Sequence, residues 1–302
     1  MSSTSLFQKM LGLTLVVLLL TTCSGAQITP TATSMPPTPT HVPPTTTPTR
    51  VLPTATPLPP PSATPIAEPL TAATVNAAGG DISWDYVALG DSIAMGFVDK
   101  YADYIEEDLG VEIAMHFWCR GSQGSDLLLH ALRNDEELRS DIGEAEVVTF
   151  MVSTQRLRSP DHAYRDGTCG GPDNQDCFRE ALALYKADTD AIIDEILSLR
   201  STSDTIIRVM TYYSWLVNDW REKGYFENLN PYWVACNEYL VQAASEHHIP
   251  VARVDVAFNG PNRDEDPSGK GYLASDRQHP NQVGFGLMAD LHRELGYEPL
   301  AP

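Results

Sequence analysis

From residue 80 to the C-terminus, short apolar runs alternate with stretches of helical spacing. Five runs, Tyr86–Leu89, Ile113–Trp118, Val147–Val152, Thr205–Met210 and Val251–Val256, have the length and apolar content of buried strands. Between and after them, Val98–Leu109, Ser125–Asn134, Phe178–Arg200, Pro231–His247 and Asn281–Leu295 carry apolar residues at helical steps. In Phe178–Arg200, for example, Leu182, Tyr185, Ile192, Ile196 and Leu199 share one face. Gly110 suits a helix end. Pro231 suits a first helical turn with Asn230 as its cap. The alternation predicts an α/β domain, a five-stranded parallel sheet with helices on both faces forming a three-layer sandwich. Such sheets bind ligands beyond the carboxyl ends of their strands, so the residues that follow each strand are where chemistry is expected.

Residues 1–79 lack this pattern. Lys9 precedes the apolar run Leu11–Leu20, which is shorter than the roughly 18–20 residues that cross a bilayer and reads as an export signal. The run leads into Leu20-Thr21-Thr22-Cys23. This resembles the lipobox of bacterial lipoproteins, with Thr22 in place of the usual Gly, Ala or Ser. The resemblance implies lipidation of Cys23, which then becomes the mature N-terminus. Fourteen of the 23 Pro residues fall between Ser24 and Leu70, interleaved with Thr, and such a segment buries too little surface to offset its ordering entropy. An extended linker is expected there, and at about 3.1 Å per residue roughly 50 residues reach on the order of 150 Å. The expected organisation is therefore a signal over residues 1–23, a Pro/Thr-rich disordered linker over 24–79 and a folded domain over 80–302. An exported protein follows, held at the extracytoplasmic face of a membrane by its lipid alone, or secreted.

Charge narrows the partners. The chain carries 20 Lys plus Arg against 40 Asp plus Glu, a net charge of −20, which excludes the basic footprint that nucleic acid requires. An acidic, soluble, monomeric domain is the simplest expectation. Four Cys lie in the folded part, and none forms a CxxC pair that would favour zinc. No metal is expected. In an oxidising compartment an even number favours disulfides. Cys169 and Cys177 flank a turn-rich segment and are expected to pair. Cys119 with Cys236 follows by elimination, with buried free thiols as the alternative.

Two motifs carry candidate chemistry. Gly90-Asp91-Ser92 follows the first strand, placing a hydroxyl at the sheet's carboxyl edge near amides that can hold an oxyanion. Asp276-Arg277-Gln278-His279-Pro280-Asn281 opens the last helix. A histidine takes a serine proton near neutral pH when a carboxylate fixes its tautomer. From Gly90 to Asn281 the chain resembles the SGNH, or GDSL-type, ester hydrolases, a flavodoxin-like fold. The resemblance implies Ser92 as nucleophile, His279 as general base and Asp276 as its orienting carboxylate, with no cofactor. It also implies an oxyanion site built from the amides of Ser92 and Gly124, with Gly121 as the alternative. The family's third block, GxND, is replaced by Ser153-Thr154-Gln155-Arg156. Gln155 keeps an amide donor one methylene longer, and Arg156 puts a cation where the family has Asp. The expected function is hydrolysis of small or polymer-borne carboxylic esters, namely lipid, acyl or acetylated carbohydrate. The alternative is a binding or scaffold module on an impaired hydrolase fold. The long segments after the third and fourth strands, Arg156–Cys177 and Tyr212–Asn230, are expected at the mouth. The aromatic residues of the second, among them Tyr212, Tyr213, Trp215 and Trp220, either stack on substrate or pack the loop.

Overall fold

The computed structural model describes residues 82–301. The export signal, the lipidated Cys23 and the Pro/Thr linker fall on residues 1–79, outside the described residues.

Five parallel strands form one sheet in the order β2-β1-β3-β4-β5. They are β1 Ser83–Gly90, β2 Glu112–Cys119, β3 Val147–Met151, β4 Ile206–Met210 and β5 Val251–Ala252. The central strands are buried on both faces, as parallel strands covered by helices must be: Val87, Ala88, Leu89, Val148, Phe150, Ile207 and Val209 are at most 1% exposed. Nine α-helices follow among the described residues: α1 Val98–Leu109, α2 Ser125–Asn134, α3 Glu136–Glu144, α4 Arg158–Arg165, α5 Asp176–Leu199, α6 Val217–Glu222, α7 Phe226–Glu246, α8 Val254–Asn259 and α9 Gln282–Arg293. The helix α1 packs on α9, whereas α2 and α7 both pack on α5.

This grouping follows from handedness. The chain winds one way from β1 to β2 and then back across β1 to β3, β4 and β5. Right-handed crossovers therefore put α1 on one face and α2, α5 and α7 on the other. The winding reverses between β1 and β3, which opens a crevice beyond their carboxyl ends. Ser92 follows β1 and Gln155 follows β3, so both stand at this crevice. The α/β three-layer architecture expected from the sequence is the one observed.

Three expectations are corrected. The fifth strand stops at Ala252, and Val254–Asn259 is helical. Arg253 turns the chain out of the sheet, and Val254 and Phe258, four apart, bury the same helical face. Pro231 lies inside α7 rather than in its first turn. The helix runs through because the carbonyl that loses its partner belongs to Glu227, an exposed residue.

Among the described residues, Cys119 and Cys236 form no disulfide; both are buried thiols. Cys119 ends the edge strand β2, with its Sγ 3.6 Å from the Ala88 carbonyl. Cys236 lies in α7, the crossover between β4 and β5. Three strand spacings separate β2 from β4, roughly 14 Å at about 4.8 Å each. A disulfide tolerates about 7 Å between Cα atoms. Burial pushes the Cys119 thiol up to about 12 and raises Cys236 as well. The other expected pair, Cys169–Cys177, is present and ties the start of α5 to the loop before it.

Candidate active site

The first half of the site is the turn that leaves β1. Leu89 pairs with Phe150 in β3, so Gly90 comes level with Met151. A Cβ on Gly90 would lie 3.2 Å from the Ala94 Cβ and 3.3 Å from the Met151 Cβ, closer than ordinary packing allows. The next residue, Asp91, is 1% exposed. Its Oδ1 accepts the Ile93 N–H at 2.8 Å, and its Oδ2 accepts the Ser153 hydroxyl at 2.7 Å and the Tyr212 hydroxyl at 2.9 Å. Burial raises the Asp91 pKa, and these three donors oppose the rise. Asp91 thus fixes the turn on which the half-buried Ser92 sits.

The second half is a tight loop before α9. Leu273 bridges Pro280, Ala274 N–H donates to the His279 carbonyl at 2.8 Å, and Asn281 N–H donates to the Tyr272 carbonyl at 2.9 Å. Asn281 then caps α9 by accepting from the Val283 and Gly284 amides. Inside the loop, Asp276 Oδ1 accepts the Gln278 and His279 amides at 3.0 Å each, and Oδ2 lies 2.6 Å from His279 Nδ1. The Gln278 amide, followed by the His279 side chain and amide, lowers the Asp276 pKa to about 2. That ionised carboxylate favours the proton on Nδ1, leaving Nε2 as the acceptor. Nε2 stands 2.9 Å from Ser92 Oγ. Residues 92, 279 and 276 therefore form one hydrogen-bonded chain.

The loops after β2 and β3 supply the opposite wall. Gly124 caps α2 in extended conformation, and a Cβ on it would lie 3.8 Å from the Gln155 Cβ. Among the described residues, nothing lies within 4 Å of the corresponding position on Gly121. Gln155 belongs to a single 3-10 turn, Thr154–Leu157, started by the Ser153 hydroxyl, which also donates to Asp91. No hydrogen bond of the Gln155 carboxamide occurs among the described residues. Arg156 turns away: its Nε donates to Asp188 Oδ2 at 2.6 Å and to Ser125 Oγ at 3.2 Å. Beside Gly124 and Gln155 opens a cleft of about 440 Å³ whose apolar lining includes Leu127, Ala163, Ala181 and Leu184, from α2, α4 and α5.

The aromatic segment after β4 is mostly core. Tyr212, Tyr213 and Trp220 are at most 2% exposed, and Trp215 packs edge-on against Trp233 at 5.5 Å. Sequence reasoning missed the hydroxyls of Tyr212 and Tyr213, which reach into the site as described below. It also missed Ser153, whose signal was present: a small polar residue directly after a buried strand.

No family model and no curated protein matches the chain. Solved structures do. A lipase, Lip_vut3, from a goat rumen metagenome is 22% identical, with a TM-score of 0.59, covering 72% of this chain and 99% of that one. A variant of Axe2, an acetyl xylan esterase from Geobacillus stearothermophilus, is 18% identical, with a TM-score of 0.50, covering 72% of this chain and 97% of that one. At these identities the likeness is one of fold: the described domain has the three-layer α/β fold, built on a five-stranded parallel sheet, that the resemblance to SGNH hydrolases implied.

Proposed function

We propose that the domain is a serine esterase using Ser92, His279 and Asp276. The observation that carries this reading is the unbroken hydrogen-bonded series Asp276–His279–Ser92 at the crevice where the sheet reverses its winding. His279 Nε2 takes the Ser92 proton as Oγ bonds to the ester carbonyl carbon, and the carbonyl electron pair moves onto oxygen. Asp276, held ionised by two backbone amides, stabilises the imidazolium without taking its proton. The amides of Ser92 and Gly124 and the carboxamide of Gln155 receive the oxyanion. Collapse expels the alcohol, which leaves with the proton from His279. Water, deprotonated by the same base, then attacks the acyl-enzyme carbonyl carbon; the resulting tetrahedral intermediate releases the acid and returns the proton to Ser92.

The cleft beside Gly124 and Gln155 suits the acyl or alcohol part of a substrate. Lipid esters and acetylated carbohydrate are the two classes suggested by the fold's likeness to a lipase and an acetyl xylan esterase. Export and a lipid anchor at Cys23 would set this chemistry outside the cell on a long tether.

The test is covalent labelling by an organophosphonate together with turnover of an aryl acetate. Labelling at Ser92, and loss of both signals in Ser92→Ala, is the expected result. Absence of labelling and turnover across a panel of esters would instead support a binding module, the alternative that the replaced third block raises.

A further inference from the structure

Two adjacent tyrosines join the halves of the site. Tyr212 and Tyr213 follow β4 after a single residue, and both are at most 1% exposed. The Tyr212 hydroxyl donates to Asp91 Oδ2 at 2.9 Å, in the turn that carries Ser92. The Tyr213 hydroxyl donates to the Gln278 carbonyl at 2.5 Å, one residue before His279. Neighbours along the chain thus hold two segments that lie 187 residues apart in sequence.

Their own positions are fixed from below. Tyr212 N–H donates to Asn237 Oδ1 at 2.8 Å, Asn237 Nδ2 donates back to the Tyr212 carbonyl at 2.8 Å, and Trp233 Nε1 donates to the same carbonyl at 3.1 Å. The helix α7 therefore grips the backbone between the two rings. The rings are 6.2 Å apart and nearly parallel, and Tyr213 stacks on Phe258 at 4.4 Å. Neither hydroxyl is required to satisfy its acceptor. Asp91 already receives Ser153 and the Ile93 amide. Gln278 is half-buried and the residues before it, Ser275 to Arg277, are exposed, so solvent could replace the Tyr213 hydroxyl as donor to its carbonyl. Phenylalanine would fill the same volume. What the hydroxyls add is a fixed distance.

We infer that Tyr212 and Tyr213 are positioning residues that hold the Ser92 turn and the His279 loop in register for proton transfer. The inference rests on the esterase reading above. A misplacement of about 1 Å at such a site costs on the order of 100-fold. Loss of one hydroxyl, with the ring retained, should cost part of that.

The experiment uses the full chain as wild type, Tyr212→Phe and Tyr213→Phe. It measures the rate of organophosphonate labelling at Ser92, kcat and KM on an aryl acetate, and the thermal midpoint. The expected result is a fall of about 10-fold or more in labelling rate and kcat for each variant, with KM and the midpoint little changed. Variants that label and turn over like wild type would overturn the inference and leave the esterase reading intact. Activity lost only in proportion to unfolding would assign the hydroxyls a purely structural part and overturn it equally. An unlabelled, inactive wild type would remove the esterase reading, and the inference with it.

Discussion

Gly284→Ala puts one methyl group where the His279 loop has no room for it. Gly284 lies in the first turn of α9, and its N–H donates to Asn281 Oδ1 at 3.1 Å. A Cβ there would stand 2.4 Å from the Tyr272 carbonyl oxygen, 3.0 Å from the Pro280 Cβ and 3.3 Å from the Phe258 ring. None of the three yields easily. The Tyr272 oxygen already accepts the Asn281 amide, Pro280 is buried, and Phe258 is stacked on Tyr213. Since real Cβ contacts do not fall below 3.0 Å, the helix and loop must part by at least 0.6 Å. Added to the 2.9 Å between His279 Nε2 and Ser92 Oγ, that shift carries the pair to about 3.5 Å, the outer edge of hydrogen bonding. Scaling from about 100-fold per 1 Å, kcat on an aryl acetate should fall about tenfold. Overpacking costs about 1–3 kcal/mol against about 0.5–1 kcal/mol gained by removing a helical glycine, so the net is a loss. The thermal midpoint should drop by a few degrees, at about 2–4 °C per kcal/mol for a domain of this size. Gly143→Ala is the control. It sits in α3, where no atom of the described residues lies within 4 Å of its new Cβ, and it should gain about 0.4–1 kcal/mol with activity unchanged. A Gly284→Ala protein with wild-type kcat and midpoint would refute the reasoning.

Other consequences concern pH, thiols and the third block. His116 is bonded to Asp85 at 2.8 Å and faces Asp141 at 3.2 Å, and the Asp85 bond first, then the charge of Asp141, raises its pKa above 6.5. Because the folded value is the higher one, the interaction stabilises fully below about pH 6.5 and is lost as pH rises through the raised value. His116→Gln should therefore destabilise in acid more than in alkali; denaturation midpoints that shift equally from about pH 5 to about pH 9 would count against this. Cys119 and Cys236, buried and held protonated, should resist alkylation in the native protein and react once it unfolds, as peptide mass mapping would show. Native labelling of either would contradict their placement. Gln155→Ala should lower kcat about 10²-fold with little change in KM if its carboxamide serves the oxyanion. An unchanged kcat would exclude it.

Much of the fold was legible because local and tertiary signals agree. For α1 and α2, periodicity placed both ends where the structure has them, Gly110 closing the first. The meeting of residues 92 and 279 was legible in outline, since each follows a strand at the same edge of the sheet. What failed depended on distant partners. Val251–Val256 reads equally as a strand or as the entry to a helix. The choice is made by Asp255, buried against Thr211, Arg253 and Arg263, and that network has no sequence signature. Parity of cysteines suggested a pair and said nothing of place. The hydroxyls of Tyr212 and Tyr213 bond 121 and 65 residues away, and the apolar pattern registers their rings alone.

The replaced third block illustrates how packing resolves an ambiguity that composition leaves open. Gln155 and Arg156 are both donors, and either side chain suits an oxyanion in the abstract. Asp188, however, is 8% exposed in the middle of α5. A carboxylate so placed requires a cation and further donors, because an unpaired buried charge costs several kcal/mol. Arg156 Nε and Ser125 Oγ supply both, at 2.6 Å each. Redirecting Arg156 toward Ser92 would strip Asp188 of its counter-charge, so the ion pair holds the guanidinium on the α5 side of the cleft. Gln155, whose carboxamide has no partner among the described residues, is then the side chain that the proposed mechanism leaves to meet developing charge. Asp188→Asn tests this division. It releases Arg156 while preserving shape, and the proposed mechanism expects kcat to change far less than in Gln155→Ala. A larger loss in Asp188→Asn, with the thermal midpoint unmoved, would transfer the oxyanion contact to Arg156.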